Sequence, residues 1–161
     1  MEVDERDLRI LEILEGNARM PWRRLAKLLG VSEATIYLRI RRLEELGILR
    51  GFRAQIDPSR LGLTATVFIL LKVEPRMLKT VTEKIKDLPF ISEAHEITGD
   101  YQVLVKVRAP TQREAAKALE ALAGINGVKD YASIVSLNTI ISDTSITRIY
   151  KYWTQTHQPH Q

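Results

Sequence analysis

Over the six residues Asp57-Pro58-Ser59-Arg60-Leu61-Gly62 the hydrophobic period of this chain changes. Before them, apolar residues recur every three or four positions and are punctuated by Gly16-Asn17, Gly30 and Gly47. After them come Thr64–Val73 (TATVFILLKV), β-branched and almost wholly apolar, and Tyr101–Arg108 (YQVLVKVR), which alternates strictly. A period near 3.6 specifies amphipathic helices, and a period of 2 or a short apolar run specifies strands. The turn-rich stretch between them marks a boundary. A chain of 161 residues has room for two small domains. The reading is an α+β protein: residues 1–56 a winged helix-turn-helix, 57–63 a linker, 64–141 a ferredoxin-like βαββαβ domain, and 142–161 a C-terminal helix and tail.

In the second half, Thr64–Val73 reads as a buried central strand. Pro75 opens a helix with Leu78, Val81, Ile85 and Leu88 on one face, and Pro89 stops it. Ile91–Thr98 and Tyr101–Arg108 are strands on either side of Gly99-Asp100. Thr111-Gln-Arg-Glu114 has the spacing of a capping box and begins a second helix that closes at Ala123-Gly124. Val128–Ile141 is a last extended stretch. The order β-α-β-β-α-β places both helices on one face of an antiparallel sheet. Val67, Ile69, Leu71, Val103, Val105 and Val107 fill one face, yet Phe68, Leu70 and Leu104 between them are apolar too. A sheet apolar on both faces and covered on one predicts a dimer or larger assembly. Ile146, Ile149, Tyr150 and Trp153 have helical spacing, and the helix they define is expected to pack on a neighbouring element or subunit.

In the first half, Asp4 is an N-cap followed by Glu5 and Asp7 in the first turn, and Leu8, Ile10, Leu11 and Leu14 form the apolar stripe. A second helix starts at Pro21 and ends at Gly30. Ser32 caps a third that runs to about Leu46. Two helices joined by so short a glycine turn form a helix-turn-helix. Ile48–Ile56 alternates around Gly51 and reads as a β-hairpin, the wing. At 100° per residue, Ile36, Ile40 and Leu43 share one narrow face of the third helix. Ala34, Thr35, Leu38, Arg41 and Arg42 lie opposite, with Tyr37 and Arg39 on the flanks.

The charge is concentrated there too. Residues 19–53 hold nine basic and three acidic side chains, a net +6 against +4 for the whole chain, so the remainder sums to −2. Aliphatic and small residues among arginines suit a major groove, where apolar atoms meet thymine methyls and arginine reaches guanine or phosphate. The expected contacts to double-stranded DNA are Ala34, Thr35, Leu38, Arg39, Arg41 and Arg42 on the third helix. Ser32 and the second-helix residues Trp22, Arg23 and Arg24 are placed for phosphates, and Arg50 and Arg53 for the wing. The same face would serve an architectural protein that coats DNA with little selectivity, and the sequence alone leaves that alternative open.

With these residues in view, the first half resembles the Lrp/AsnC (leucine-responsive, feast/famine) family of transcriptional regulators. The matching pieces are Asp4-Glu-Arg-Asp-Leu-Arg-Ile-Leu, Asn17-Ala-Arg, Leu25-Ala-Lys-Leu-Leu-Gly-Val-Ser, Arg39-Ile-Arg-Arg-Leu-Glu-Glu-Leu-Gly-Ile-Leu and Gly51-Phe. Thr98-Gly-Asp-Tyr101 is similar to a turn of that family's second, RAM domain. The resemblance implies a homodimer built through the second domain, often extended to tetramers or octamers, that binds partly palindromic promoters. It also implies an amino acid or similar small effector. Thr98, Gly99, Asp100 and Tyr101 are the effector-site candidates, with Asp130 and Ser133 completing the pocket. The segment after Ile141 has no counterpart to carry over.

Other function classes find little support. No Ser/His/Asp set, phosphate-binding glycine loop or metal-ligand cluster is evident, so neither catalysis, a metal nor a cofactor is expected. Cysteine is absent, which removes disulfides and thiol chemistry. His95 sits in an expected strand, and His157 and His160 lie in a polar tail that reads as a frayed terminus. With an acidic N-terminus and no apolar run near the ~20 residues of a membrane span, a cytoplasmic location is expected.

Overall fold

The computed structural model describes residues 3–142 and 145–156. The histidines of the tail, and the expectation attached to them, lie outside the described residues. The chain divides into two compact units. One comprises residues 1–55 and 141–161, the other residues 56–140.

The first unit contains α1 (Glu5–Gly16), α2 (Trp22–Leu29), α3 (Glu33–Glu45) and α6 (Ile146–Thr156), the last being the expected C-terminal helix. Asp4 caps α1 through a reciprocal box. Its carboxylate accepts from the Asp7 amide at 2.8 Å, and the Asp7 carboxylate accepts from the Asp4 amide at 3.2 Å. Ile10 and Leu14 of α1, Leu25 and Ala26 of α2, and Ile36, Ile40 and Leu43 of α3 form the buried core. The i, i+4, i+7 spacing on α3 is the narrow apolar face read from the sequence.

The segment 48–56 corrects the expected hairpin, since it forms no strand. Gly51 sits at φ +126° and leaves three residues before it and five after it, so the first arm is too short to hold a stable two-stranded ladder. Phe52 and Ile56 stay exposed.

The sheet domain contains β1 (Ala65–Val73), α4 (Leu78–Lys86), β2 (Ile91–Glu96), β3 (Val103–Ala109), α5 (Gln112–Ala123) and β4 (Val128–Val135). The strand order is β2-β3-β1-β4, antiparallel throughout, with β1 central as its apolar sequence requires. This is the ferredoxin-like βαββαβ arrangement. The pleat sends alternate residues to opposite faces. Val67, Ile69, Leu71, Val103, Val105 and Val107 are buried with Val81, Ile85, Ala115, Ala118 and Leu122 of the two helices. Two strands are shorter than the sequence suggests. β4 ends at Val135 rather than Ile141, because β1 begins at Ala65 and the Ser136 amide makes its last bond to Thr66. β2 ends at Glu96, before the bends at 98–100.

On the helix-free face, Phe68, Leu70, Leu104 and Ala132 are half-buried, and Ile134 is 56% exposed. Leu70 lies between Leu104 and Ala132, and Phe68 between Lys106 and Ile134. Lys106 reaches over the Phe68 ring at 5.8 Å and pairs with Glu93 at 3.4 Å. An apolar centre with a charged margin thus faces away from α4 and α5.

Candidate nucleic-acid interface

The helix-turn-helix is set by local chemistry at its turn. Gly30 follows α2 at φ +64°, the left-handed conformation that glycine adopts without strain. Two residues later the Ser32 hydroxyl accepts from the Thr35 amide at 3.0 Å and starts α3. Ser32 and Ala34 are exposed and Thr35 is half-buried. Trp22 and Tyr37 stack obliquely with ring centroids 5.5 Å apart, joining the start of α2 to the outer side of α3. Beside them stand Arg23 and Arg24, exposed and unshielded by any acidic residue on α2.

Leu38 is 66% exposed at the middle of α3, between Thr35, Arg41 and Arg42. Arg41 is exposed and, among the described residues, has a long 3.8 Å pair to Glu45. Trp22, Arg23, Arg24, Ser32, Ala34, Thr35, Leu38 and Arg41 thus all reach solvent along α2, the turn and α3, which the Trp22–Tyr37 contact joins. Arg50 and Arg53 are also exposed, on the irregular 48–56 segment rather than on a hairpin.

Two arginines are held differently from the sequence reading. Arg39 Nη1 donates to Asp4 Oδ2 at 2.6 Å and to Asp7 Oδ1 at 2.7 Å, and its side chain is only 22% exposed. Arg42 Nη1 donates to Asp7 Oδ2 at 3.2 Å while its side chain stays 42% exposed. The Asp7 bond and then the Arg39 guanidinium hold the Asp4 carboxyl below its ordinary range. Asp4 and then Asp7 push the Arg39 guanidinium further up. Arg39 thus ties α3 to α1. Asp4 and Asp7 entered the sequence reading only as helix-start residues, and no local signal joins them to an arginine thirty-two residues away.

Family comparison agrees with both halves. Residues 3–44 match the AsnC-type helix-turn-helix domain, and residues 66–146 match the Lrp/AsnC ligand binding domain. The chain belongs to the Lrp/AsnC family of transcriptional regulators. The HTH-type transcriptional regulator FL11 of Pyrococcus horikoshii is 36% identical over 85% of this chain and 91% of its own length. E. coli AsnC superposes with a TM-score of 0.85 at 29% identity, covering 89% of this chain and 98% of that one. A Neisseria meningitidis transcriptional regulator in complex with L-Met shares the fold, with a TM-score of 0.83 at 23% identity over 90% and 96% of the two chains. Relatives of this kind are regulators of transcription, and the chain is not an enzyme. Among the described residues no group of three or more His, Asp or Glu is placed to hold a metal, and no helix is long and apolar enough to cross a membrane.

In the Lrp/AsnC ligand binding domain, the turn Thr98–Tyr101 projects from the sheet end where β1 finishes. Thr98, Gly99 and Asp100 are exposed, Tyr101 partly so. Gln102, which the sequence reading passed over, fastens this turn. Its amide nitrogen donates to the Gly99 carbonyl at 3.2 Å, its side-chain oxygen accepts from the Val73 amide at 2.9 Å, and its backbone amide reaches Leu71. Asp130 stands opposite Lys72 at that same end. Ser133 does not join it. Opposite Ile69, it lies on the helix side of β4, whereas Asp130 lies on the helix-free side.

Proposed function

We propose that this regulator binds promoter DNA selectively, with α3 in the major groove and the start of α2 on the phosphate backbone, and that its sheet domain assembles copies and takes an amino-acid-like effector. The observation that carries the reading is the outer face of α3. An apolar Leu38 stands exposed amid Thr35, Arg41 and Arg42, a poor surface for water and a good one for thymine methyls and guanine edges. Trp22, Arg23, Arg24 and Ser32 supply phosphate contacts that fix register, and Arg50 and Arg53 extend the basic surface. Arg42 reaches DNA while braced by Asp7. Arg39, engaged by two carboxylates, acts as a strut and leaves the set of direct contacts.

The helix-free sheet face supports a homodimer as the unit of binding. Phe68, Leu70, Leu104 and Ala132 form a contiguous apolar patch of the kind that a second copy buries. A two-fold dimer reads half-sites a helical turn or a multiple apart. For the effector, the exposed turn Thr98–Tyr101 with Asp130 offers the carboxylates of Asp100 and Asp130 for an ammonium and exposed backbone for a carboxylate. The L-Met bound to the Neisseria relative is the chemistry that such a site would take.

The test is binding of the purified protein to its own gene's promoter and to random DNA across a salt series, with and without mixed amino acids. Selectivity of about a thousandfold or more is expected, with a shift of affinity or assembly size by one amino acid. Equal binding to every fragment would favour an architectural coat over a selective regulator. Absence of binding at low salt would refute DNA recognition altogether.

A further inference from the structure

Asp7 is the one fully buried carboxylate among the described residues. A charge withdrawn from water is tolerated only when paired and hydrogen-bonded, and among the described residues Asp7 is both. Oδ1 takes Arg39 Nη1, Oδ2 takes Arg42 Nη1, and Oδ2 also takes the Asp4 amide. Arg39 Nη1 bridges across to Asp4, whose other oxygen caps the Asp7 amide. The result is a closed ring of charge-assisted bonds between the first turn of α1 and the middle of α3.

The apolar seam cannot do what this ring does. Ile36, Ile40 and Leu43 make a stripe one residue wide, and hydrophobic contact is non-directional. Such a stripe holds α3 in place but permits it to roll. A side-chain tip at roughly 5–6 Å from the axis moves about 2 Å for a roll of about 20°. That is enough to lose a base-edge hydrogen bond, whose useful range spans only about half an ångström. Bonds between ions are short and directional, so they fix the roll angle.

We propose that Asp7 and Arg39 are positioning residues for DNA reading: with Asp4, they set the roll of α3, and so which of Thr35, Leu38 and Arg41 meet base edges, while Asp7 also braces Arg42 for its phosphate or base. The proposal rests on the reading of α3 as the recognition helix and adds specificity to residues that touch no DNA.

Salt dependence separates positioning from contact. Each phosphate neutralised adds about 0.9 to the slope of log K against log salt on duplex DNA. Asp7→Asn keeps the volume and removes the charge, and Asp4→Asn keeps a good N-cap while loosening Arg39. The full-length protein and these variants, with Arg39→Gln and the Asp7→Asn/Arg39→Gln pair, are titrated against the gene's own promoter and random DNA over a salt series, with thermal unfolding measured alongside. The preference for promoter over random DNA is expected to fall tenfold or more in Asp7→Asn and several-fold in the milder Asp4→Asn. The salt slopes should not change, and the double variant should be no worse than its singles. A slope reduced by one contact in Arg39→Gln, with Asp7→Asn still selective, would make Arg39 a direct contact and overturn the proposal. Variants that lose thermal stability alone, with selectivity intact, would overturn it too. A wild-type protein without selectivity would refute the underlying functional reading before any variant is compared.

Discussion

In the recognition unit a buried carboxylate lies within the packing, whereas the sheet domain buries no charged group among its described residues. Around Asp7 the helices are joined by directional ionic bonds spanning more than thirty residues of sequence. In the sheet domain the interior is Val, Ile, Leu and Ala, and direction comes from backbone register across β2-β3-β1-β4. The contrast follows from what each part must hold constant. A reading helix needs one rotation about its axis, which apolar packing specifies weakly. A platform for the proposed assembly would need a broad surface of fixed pleat, which ladder hydrogen bonds supply without any buried charge.

The largest test of this contrast removes the platform. Leu70→Glu introduces a charge at the centre of the helix-free face, where Leu104 and Ala132 flank it. Sedimentation should show monomers at concentrations where the parent protein is assembled, with circular dichroism unchanged. Assembly that survives would place the interface elsewhere.

Next comes the interior beneath. Ile69→Ala, at a fully buried position of β1, should cost about 2–5 kcal/mol in chemical denaturation. A smaller loss would mean that the sheet core relaxes, and that packing is less exacting there than the contrast requires. Gly127→Ala is the conformational counterpart, since a Cβ at φ +103° would lie 2.5 Å from Met77 Cβ. We expect a loss of about 1–3 kcal/mol, from left-handed strain and overpacking together.

The smallest effects belong to α6. Glu15 at the end of α1 caps this helix from outside its own segment, accepting from the Ile146 amide at 2.7 Å, the Ser145 hydroxyl at 2.6 Å and the Thr147 hydroxyl at 2.5 Å. One turn further along, Lys151 pairs with Glu12. Glu15→Ala should cost about 0.5–2 kcal/mol, as capping losses do, and raise hydrogen exchange in α6 first. Burial pushes the Glu15 carboxyl upward, but the bonds from Ser145, Thr147 and two amides outweigh it, so the group sits below its ordinary range. A lowered folded-state pKa means stability that is present above the unfolded value near 4.5 and lost as pH falls through the folded one. α6 should therefore loosen only in the acid range below about pH 4.5, and amide exchange across pH checks the sign.

What the sequence conveyed was whatever depends on near neighbours. The alternation Val103, Val105, Val107 named its buried face, and Gly30 with Ser32 named the turn. Proline and glycine placed most helix ends within a residue or two. What it withheld depends on distant partners. Arg39 reads as an open surface arginine until Asp4 and Asp7 are brought beside it. Asp130 and Ser133 look like a pair until the pleat sends them to opposite faces. Alternation around Gly51 suggested a hairpin, because the pattern does not count how many residues each arm holds.

The braced state of α1 has a consequence for synthesis. Three helices of the recognition unit leave the ribosome first, but α6 follows only after the whole sheet domain has been translated. A nascent chain therefore presents the DNA-reading helix with Glu12 and Glu15 still facing water, and the fourth helix seats last. Truncation anywhere before Ser145 would leave α1, α2 and α3 in place but strip Glu12 and Glu15 of the partners that α6 supplies.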